Sequence, residues 1–429
     1  MAVIPRGVLI AALAVAAPAA AYNPVAGDFS KANPLDVRIV AYNTEQNFIA
    51  TPSKDVFFNR ILTAIQPDII CFEEIPSSVT TTQFASRMNA IMPIGGSGWQ
   101  IHFGLVGGTR NVLASRYSLT LRRTDTVPIS STRGVTIALA DLPNANYSVD
   151  VYLLGVHLKC CGNPGGSEDQ SRQRSADAIS NWLGDARGVL RPSGNWIILP
   201  AGTPMIVLGD CNLVGGPQPG NTLVTGNIID EATFGADVKG DWDVSDMLNL
   251  NPLDPFTGNN FTWQGSGSFP PSALDRMFIT DSAFNVANSF VLNTATMTPA
   301  ALAAAGLLAG DTSPSNSSDH LPIAMDLRLT NPCAADSDGD GTPDCTDGCP
   351  VDAMRVTPGV CGCGVSEALH GTGDMNGDGR IDGRDIPQFV AELLVSTAPS
   401  APACRADLDE SGLINAADAA LFTTMLLGN

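Results

Sequence analysis

The chain has 429 residues, of which 43 are acidic and 23 are basic, giving a formal net charge of -20 at pH 7. Residues 331–429 hold 16 acidic and 4 basic residues, a net charge of -12, so residues 1–330 carry -8. Neither part has the basic surplus of a tight, nonspecific nucleic-acid binder, which still leaves room for a nuclease that holds its substrate loosely. The length predicts two or three domains.

The N-terminus has the order of a secretory signal peptide. Met1–Arg6 carries one positive charge, Gly7–Ala17 is apolar, and Ala19–Ala21 supplies small residues for cleavage. We expect cleavage after Ala21 and a mature protein that is secreted or attached to the cell surface. No later segment reaches about 18 uninterrupted apolar residues, so no transmembrane segment is predicted.

Ten cysteines in an exported chain predict disulfides. Six of them lie after residue 330, and Cys71, Cys160, Cys161 and Cys211 lie before it. The sequence leaves the pairing open. A bridge from Cys160 or Cys161 to Cys211 is expected if their two strands are neighbours.

Short apolar runs typical of strands alternate with helical stretches from Leu35 onward. We expect helices over 55–65 and 170–183, and a final strand that begins at Ile323. Polar residues follow the strands throughout. They are Asn43, Glu73, Glu74, His157, Lys159, Asp210, Asn212, Asp275, Asp319 and His320.

These residue types indicate a hard divalent ion and phosphoester chemistry. Carboxylates and amides with few thiols suit Mg²⁺, which keeps waters and takes one or two protein carboxylates. Such a metal neutralises phosphoryl oxygens while histidines donate to the phosphate and a carboxylate or His activates water. Asp319 beside His320 is the arrangement that fixes one imidazole tautomer.

Six segments together resemble the endonuclease/exonuclease/phosphatase superfamily, which includes pancreatic deoxyribonuclease and bacterial sphingomyelinases. They are Ala41–Asn43, Cys71–Ile75, Gly155–Lys159, Leu208–Asn212, Leu274–Arg276 and Ser318–Pro322. The resemblance implies an α/β fold, a four-layered sandwich of two packed, mostly antiparallel sheets with helices outside.

The resemblance also implies residue roles. Asn43, Glu74 and Asp319 would surround Mg²⁺ or Mn²⁺, with Glu74 preferred to Glu73 because the family acid is the second of the pair. His157 would bind the scissile phosphate, and Asp319 would orient His320. Asp210 and Asn212 would position the attacking water and the phosphate. Asp275 would lie close to a catalytic histidine or the metal.

Basic residues near these segments are weaker candidates for substrate contact. Arg110 and Arg116 match a family region that touches substrate, and Lys159 follows the phosphate-binding histidine. Arg172 and Arg174 are expected on the exposed face of their helix. The resemblance also allows a disulfide from Cys160 or Cys161 to Cys211 beside the site.

The acidic tail begins with oxygens at alternate positions around a glycine, as calcium coordination requires. This segment, over 333–366, resembles a thrombospondin type 3 repeat, and a solvated acidic linker is the alternative interpretation. Its expected Ca²⁺ ligands are Asp336, Asp338, Asp340, Asp344 and Asp347.

Two further loops, 33 residues apart, place ligands at loop positions 1, 3, 5, 9 and 12 with glycine at position 6. Their expected Ca²⁺ ligands are Asp374, Asn376, Asp378, Asp382, Asp385, Asp407, Asp409, Ser411, Asn415 and Asp418. An apolar helical run follows each loop, over 386–394 and 419–427. The segment 370–429 resembles a type I dockerin, which implies a cohesin-like partner. A cell-surface protein is the alternative, because Gly383–Arg384 and Ala416–Ala417 stand where cellulosomal dockerins carry Ser or Thr.

The sequence therefore predicts a signal peptide over 1–21, a catalytic domain over 30–330 and the two calcium-binding segments. We expect a metal-dependent phosphodiesterase, with nucleic acid as the first substrate. A sphingomyelinase-like phospholipid phosphodiesterase is the alternative, for which the segment 266–271 with Phe269 could contact a membrane. A non-catalytic adhesive or scaffold protein is the alternative of another class, and the complete motif set disfavours it.

Overall fold

The computed structural model describes residues 22–105, 109–125, 134–192, 197–329, 338–340, 342, 348–349, 351–357, 363, 366, 370–394, 401–409, 411 and 413–428. The predicted signal peptide lies outside these residues. The chain divides into two compact units, one formed by Met1–Pro143 and Val149–Leu329 and the other by Asn144–Ser148 and Thr330–Asn429.

Twelve strands are described in the first unit. They are β1 (Val37–Asn43), β2 (Ile69–Pro76), β3 (Gln100–Phe103), β4 (Thr109–Ser115), β5 (Ser118–Asp125), β6 (Val135–Asp141), β7 (Val151–His157), β8 (Met205–Asp210), β9 (Leu248–Leu250), β10 (Asp275–Ile279), β11 (Asn285–Val291) and β12 (Ile323–Arg328). They form two six-stranded sheets, in the orders β11-β12-β1-β2-β4-β3 and β5-β6-β7-β8-β10-β9. Each sheet contains one parallel pair, β1 with β2 and β7 with β8, and the other pairs are antiparallel.

Helices cover the outer face of each sheet. The described helices of this unit are α1 (Asp55–Ile65), α2 (Thr81–Ile91), α3 (Ser167–Ala186), α4 (Gln218–Thr225), α5 (Glu231–Phe234) and α6 (Pro299–Ala305). α1 buries Phe58, Ile61, Leu62 and Ile65, the spacing of one helical face, in a cluster with side chains of β1 and β2. α3 packs similarly on β7 and β8.

The inner faces of the two sheets pack on each other. β1 and β2 contact β8, and β4 contacts β7. The approach is so close that a Cβ on Gly155 of β7 would lie 2.7 Å from Sγ of Cys71 in β2. The order helix, sheet, sheet, helix confirms the predicted four-layered α/β sandwich.

The second unit is small and built around a pair of stacked rings. Its described helices are α7 (Ile386–Leu394), α8 (Ala401–Ala406) and α9 (Ala416–Gly428). Phe389 of α7 and Phe422 of α9 stack with centroids 4.0 Å apart and planes at 4°. The two rings are 33 residues apart, the spacing of the loops that precede their helices. A disulfide joins Cys349 and Cys363.

Within the part of the chain that the structure describes, no helix combines the length and apolar character needed to cross a bilayer.

Candidate active site

The polar strand ends meet at one edge of the sandwich. In the parallel pair of β1 and β2, Asn43 lies opposite Glu73, and in that of β7 and β8, His157 lies opposite Asp210. β10 runs antiparallel to β8, so its first residue, Asp275, also lies opposite Asp210. Both sheets therefore bring their polar ends to the same place.

A buried carboxylate holds the imidazole of His320. Nδ1 of His320 lies 2.8 Å from Oδ2 of Asp275, whose side chain is inaccessible to solvent. Burial alone would lower the pKa of His320, but the charges of Asp275 and Asp210 outweigh burial and raise the pKa to about 10. The raised pKa favours the protonated form of His320. Its Nε2 lies 3.8 Å from Oδ2 of Asp210.

The prediction that Asp319 orients His320 was wrong. The Asp319 carboxylate instead accepts a hydrogen bond of 2.9 Å from Nε1 of Trp263, and its carbonyl accepts one from the backbone N–H of Gln264. Neighbouring side chains in an extended segment point to opposite sides. Asp275, which comes from another strand, faces the imidazole, whereas the sequence neighbour of His320 does not bind it.

Asp210 links candidate residues from both sheets. Its Oδ2 accepts a hydrogen bond of 3.1 Å from Nδ2 of Asn43 and lies 3.4 Å from Nε2 of His157. Its Oδ1 accepts a hydrogen bond of 3.1 Å from the backbone N–H of Asn212, whose Nδ2 donates to the carbonyl of Leu158 at 3.3 Å. These contacts fix the Asp210 carboxylate, with one oxygen facing both histidines.

Glu74, rather than Glu73, faces this space. A bulge interrupts the pairing of β2, and Glu74 adopts a φ of 59° there. Oε1 of Glu74 lies 3.8 Å from Nε2 of His157, and its side chain is 22% exposed. Glu73 is fully buried, and burial, followed by the charge of Asp275, raises its pKa well above the ordinary value. Its burial makes Glu73 a poor cation ligand.

The oxygens around Glu74 suit a divalent cation. Burial raises the pKa of Glu45, and the charges of Asp319 and Glu74 raise it further, so these carboxylates repel one another. Asn43 adds an amide oxygen, which accepts the backbone N–H of Glu45 at 3.1 Å. Carboxylate and amide oxygens with mutual repulsion fit Mg²⁺ or Mn²⁺. The strand-end pattern missed Glu45 because it lies in the loop two residues beyond Asn43.

A buried arginine fixes the loop that follows β7. Arg172 in α3 is fully buried, so the prediction that it lies on an exposed face was wrong. Its guanidinium donates to the carbonyls of Lys159 and Cys161 at 2.7 and 2.8 Å, and to Asp169 at 3.1 Å. Asp169 also accepts the backbone N–H of Gly216, in the loop that follows β8, at 3.1 Å. The Arg172–Asp169 pair therefore connects the loops that follow β7 and β8.

Arg110 lies near the start of β4, and Arg116 directly follows the other end of that strand. Arg110 lies near the end of β2 that carries Glu74, and its guanidinium stands 4.5 Å from the ring centre of Phe103. The backbone N–H of Arg116 donates to the carbonyl of Asp68, at the other end of β2. That end is about 20 Å from Glu74 along the strand. Arg116 therefore lies far from Glu74 along the strand, and its contact with substrate stays a prediction.

Lys159 is exposed beside the site. It lines an open groove of about 660 Å³ along α3, together with Gln170, Arg174 and Asp230. The groove has charges of both signs and does not include the paired histidine or its carboxylate.

The predicted disulfide between Cys160 or Cys161 and Cys211 is not formed. Cys71 and Cys211 are buried free thiols, while Cys160 and Cys161 are free thiols with access to solvent. Cys211 lies inside the cluster that α3 forms with β7 and β8, and the loop that carries Cys160 turns outward.

The dockerin-like loops bring their oxygens together. Asp407, Asp409 and Asp418 have ligand oxygens within 4.8 Å of one another, the one such group of three acidic, His or Cys side chains among the described residues. Asp418 accepts the backbone N–H of Asp409 at 3.1 Å, and Asp385 accepts that of Asn376, 33 residues earlier, at the same distance. The two loops therefore share one internal geometry.

The linker resembling a thrombospondin type 3 repeat stays a prediction. Asp338 and Asp340 are described, and the backbone N–H of Asp340 donates to Oδ1 of Asp338 at 3.2 Å. The other predicted ligands, which lie outside the described residues, are Asp336, Asp344 and Asp347.

Comparisons with known proteins identify two domains. A family model described as Endonuclease/Exonuclease/phosphatase family matches residues 55–320, more than half of the chain, and a Dockerin type I domain model matches residues 372–427. Comparison with curated proteins finds no match.

Several solved structures resemble this chain at low sequence identity. TDP2 of D. rerio complexed with a single-strand DNA product is 13% identical to this chain, with a TM-score of 0.44. The match covers 68% of this chain and 99% of the TDP2 chain. ANGEL2, described as a 2',3'-cyclic phosphatase, is 13% identical with a TM-score of 0.46, covering 68% and 96%. The human Nocturnin catalytic domain is 15% identical with a TM-score of 0.41, covering 69% and 94%.

The sequence match, which spans most strands that carry the site, decides the assignment. The chain belongs to the endonuclease/exonuclease/phosphatase family and is a divalent-metal-dependent phosphoric ester hydrolase that carries a type I dockerin domain.

Proposed function

We propose that this protein is an exported phosphodiesterase that uses Mg²⁺ or Mn²⁺ to hydrolyse nucleic acid. A Ca²⁺-loaded dockerin tail attaches it to a cohesin-like or cell-surface protein. The observation that carries the catalytic proposal is the His320 imidazole, held at 2.8 Å by Asp275 and facing Asp210 at 3.8 Å. An acid and a base that face the same space are what phosphoester hydrolysis requires.

The residues of the site have separate roles in hydrolysis. Asp210, oriented by Nδ2 of Asn43, accepts a proton from the attacking water. His320 donates from Nε2 to the phosphoryl oxygens as negative charge develops on them, and His157 binds the scissile phosphate. Asn43, Glu74 and Asp319 would hold the divalent cation, which would supply further neutralisation of phosphoryl charge.

An exposed aromatic turn beside the site supports a nucleic-acid substrate. Trp263 forms a β-bridge with His320 and donates to Asp319. A few residues later the chain turns between Ser266 and Phe269, and the Phe269 ring is 71% exposed. An exposed ring can stack on a nucleic-acid base, a contact that contributes about 1–3 kcal/mol.

The same ring favours one alternative, a phospholipid phosphodiesterase. An exposed Phe on a turn can enter the apolar boundary of a membrane as well as stack on a base. Phe269→Ala should then reduce hydrolysis of sphingomyelin vesicles rather than DNA. Hydrolysis of a small diester should be unchanged under either substrate.

Substrate comparison tests the proposal. Plasmid DNA, sphingomyelin vesicles and a bis-aryl phosphodiester are each incubated with the purified chain, with Mg²⁺ and then with chelator, and with His320→Ala. Metal-dependent DNA nicking that the variant lacks is the expected result. His102→Gln is the matched control, because His102 binds the carbonyl of Arg123 at 3.1 Å, away from the site. Cleavage of the lipid alone would show that the substrate is a phospholipid and not nucleic acid. No cleavage of any of the three substrates would contradict the proposed catalysis.

The dockerin tail is tested separately from catalysis. Calorimetric titration of the chain with a cohesin module, with Ca²⁺ and with chelator, should show binding that requires Ca²⁺. The variant Asp418→Ala should abolish it, since Asp418 accepts backbone hydrogen bonds from both sides of its loop. Binding that survives in chelator would contradict a calcium-organised tail, and absence of binding with Ca²⁺ would leave the cell-surface protein as its partner class.

A further inference from the structure

Two consecutive cysteines lie just beyond the strand that carries His157. Cys160 and Cys161 are free thiols, and Cys161 is exposed. The two thiols contact each other through a hydrogen bond, the main cause of a raised pKa at Cys161. Neither thiol has a role in the hydrolysis described above.

The backbone around this pair is held in place. Arg172 donates to the carbonyls of Lys159 and Cys161, which flank the Cys160 residue. Cys161 has a φ of 67°, a left-handed conformation that side-chain-bearing residues rarely adopt. Gly162 follows at a φ of 80°, and a Cβ there would lie 2.7 Å from Cβ of Glu168. The thiols are thus presented on a tight, defined turn.

We propose that Cys160 and Cys161 are a reversible modification site, which a small disulfide such as glutathione disulfide oxidises to a vicinal disulfide. The thiolate of one cysteine attacks one sulfur of the small disulfide, forming a mixed disulfide and releasing one thiolate. The thiolate of the other cysteine then attacks the sulfur of the first, forming the Cys160–Cys161 bond and releasing the second thiolate. The cysteine pair loses two electrons and two protons, and the small disulfide becomes two thiols.

Geometry makes this bond a switch rather than a permanent crosslink. Consecutive Cα atoms are about 3.8 Å apart, whereas unstrained disulfides span about 4.4–6.8 Å. A strained disulfide is more easily reduced. The Cys349–Cys363 bond is the contrast within this chain, with Cα atoms 5.3 Å apart.

Formation of the Cys160–Cys161 disulfide changes the loop that supports the site. The backbone N–H of Leu158 donates to the carbonyl of Asp210 at 2.9 Å, and the carbonyl of Leu158 accepts Nδ2 of Asn212 at 3.3 Å. Cys160 is two residues further on, so a change in its backbone alters the position of Leu158. The inference rests on the proposed function only for its activity readout.

Trypsin gives a direct chemical test, because the peptide Cys160–Arg172 contains both thiols and no other cysteine. The folded, full-length protein is equilibrated in glutathione buffers of increasing oxidation, alkylated and digested, and the peptide masses are measured by mass spectrometry. The expected product is this peptide lacking two hydrogens and carrying no glutathione, restored by dithiothreitol. Two free thiols in the most oxidising buffer, or a stable glutathione adduct, would overturn the proposal. This readout is independent of any hydrolysis.

Activity tests the coupling to the site. Hydrolysis of the bis-aryl phosphodiester should differ about tenfold or more between the oxidised and reduced protein, since small displacements of catalytic groups cost that much or more. The double variant Cys160→Ser/Cys161→Ser should keep the reduced rate in every buffer. Equal rates for oxidised and reduced wild type, or a response that persists in the double variant, would overturn the coupling.

Discussion

The substitution Asp275→Asn removes one charge from the site with little change in side-chain shape. In the native protein the carboxylate is buried and lies 2.8 Å from Nδ1 of His320. Its charge, together with that of Asp210, raises the pKa of His320 to about 10 against the opposing effect of burial. We therefore expect the pKa of His320 to fall in the variant, because a single carboxylate then opposes burial.

The size of the effect follows from the lost contact. A hydrogen bond to a charged group contributes about 1.5–3 kcal/mol. Since about 1.4 kcal/mol corresponds to tenfold in rate, kcat/KM at neutral pH should fall between about tenfold and about 150-fold. His320 acts in its protonated form, which is present below its pKa and lost as pH rises through it. The alkaline limb of the pH–rate profile should therefore move to lower pH in the variant.

Steady-state hydrolysis of a bis-aryl phosphodiester across a pH series, with Mg²⁺, measures both effects. Asp243→Asn is the matched control, because that aspartate is fully exposed on a loop. Thermal unfolding of all three proteins separates lost stability from lost catalysis. A folded Asp275→Asn enzyme with wild-type kcat/KM and an unshifted alkaline limb would refute the role given to the pair.

Three further substitutions or treatments test other parts of the molecule. Arg172→Met should lower the unfolding free energy in urea by about 3–5 kcal/mol, because it leaves the buried Asp169 carboxylate without its partner. Arg174 is 43% exposed, so Arg174→Met should cost less than about 1 kcal/mol. Similar losses in the two variants would contradict the structural role given to the Arg172–Asp169 pair. Gly155→Ala places a Cβ 2.7 Å from a thiol of the facing sheet and should cost about 1–3 kcal/mol, while Gly95→Ala, which meets nothing within 4 Å, serves as its control. A Ca²⁺-selective chelator added with Mg²⁺ in excess, or Asp407→Ala, should reduce the helical circular dichroism of the tail and leave diester hydrolysis unchanged. An unaltered spectrum would contradict the calcium loops.

The sequence predicted the parts of the fold that depend on local pattern. α1 spans Asp55–Ile65 as its helical spacing predicts, and β8 ends at Asp210, where an apolar run meets polar residues. Strands buried on both faces have near-continuous apolar sequences, so their ends are easy to locate. Because strand ends carry the polar residues, the same pattern locates the edge where they meet.

Contacts between distant segments could not be predicted in this way. Asp275 meets His320 because β10 pairs with β8 in a particular register, and no local pattern encodes that register. Arg172 looks like part of a polar helix surface, but α4 and α5 cover α3, so polar residues of that helix are buried. Glu45 follows a strand end by two residues, and only the fold returns it towards Asp319.

The hydrogen bond from Asn43 to Asp210 joins the first sheet to the second, which has a consequence for the life of the protein before export. Neither sheet holds a complete set of hydrolytic groups, so a chain that has not yet docked its sheets cannot cut a phosphodiester. If the protein is exported and hydrolyses nucleic acid, as proposed above, the polypeptide is harmless to the nucleic acid of the cell that makes it for as long as it is kept unfolded. Toxicity to the producing cell would then depend on premature folding rather than on the amount synthesised.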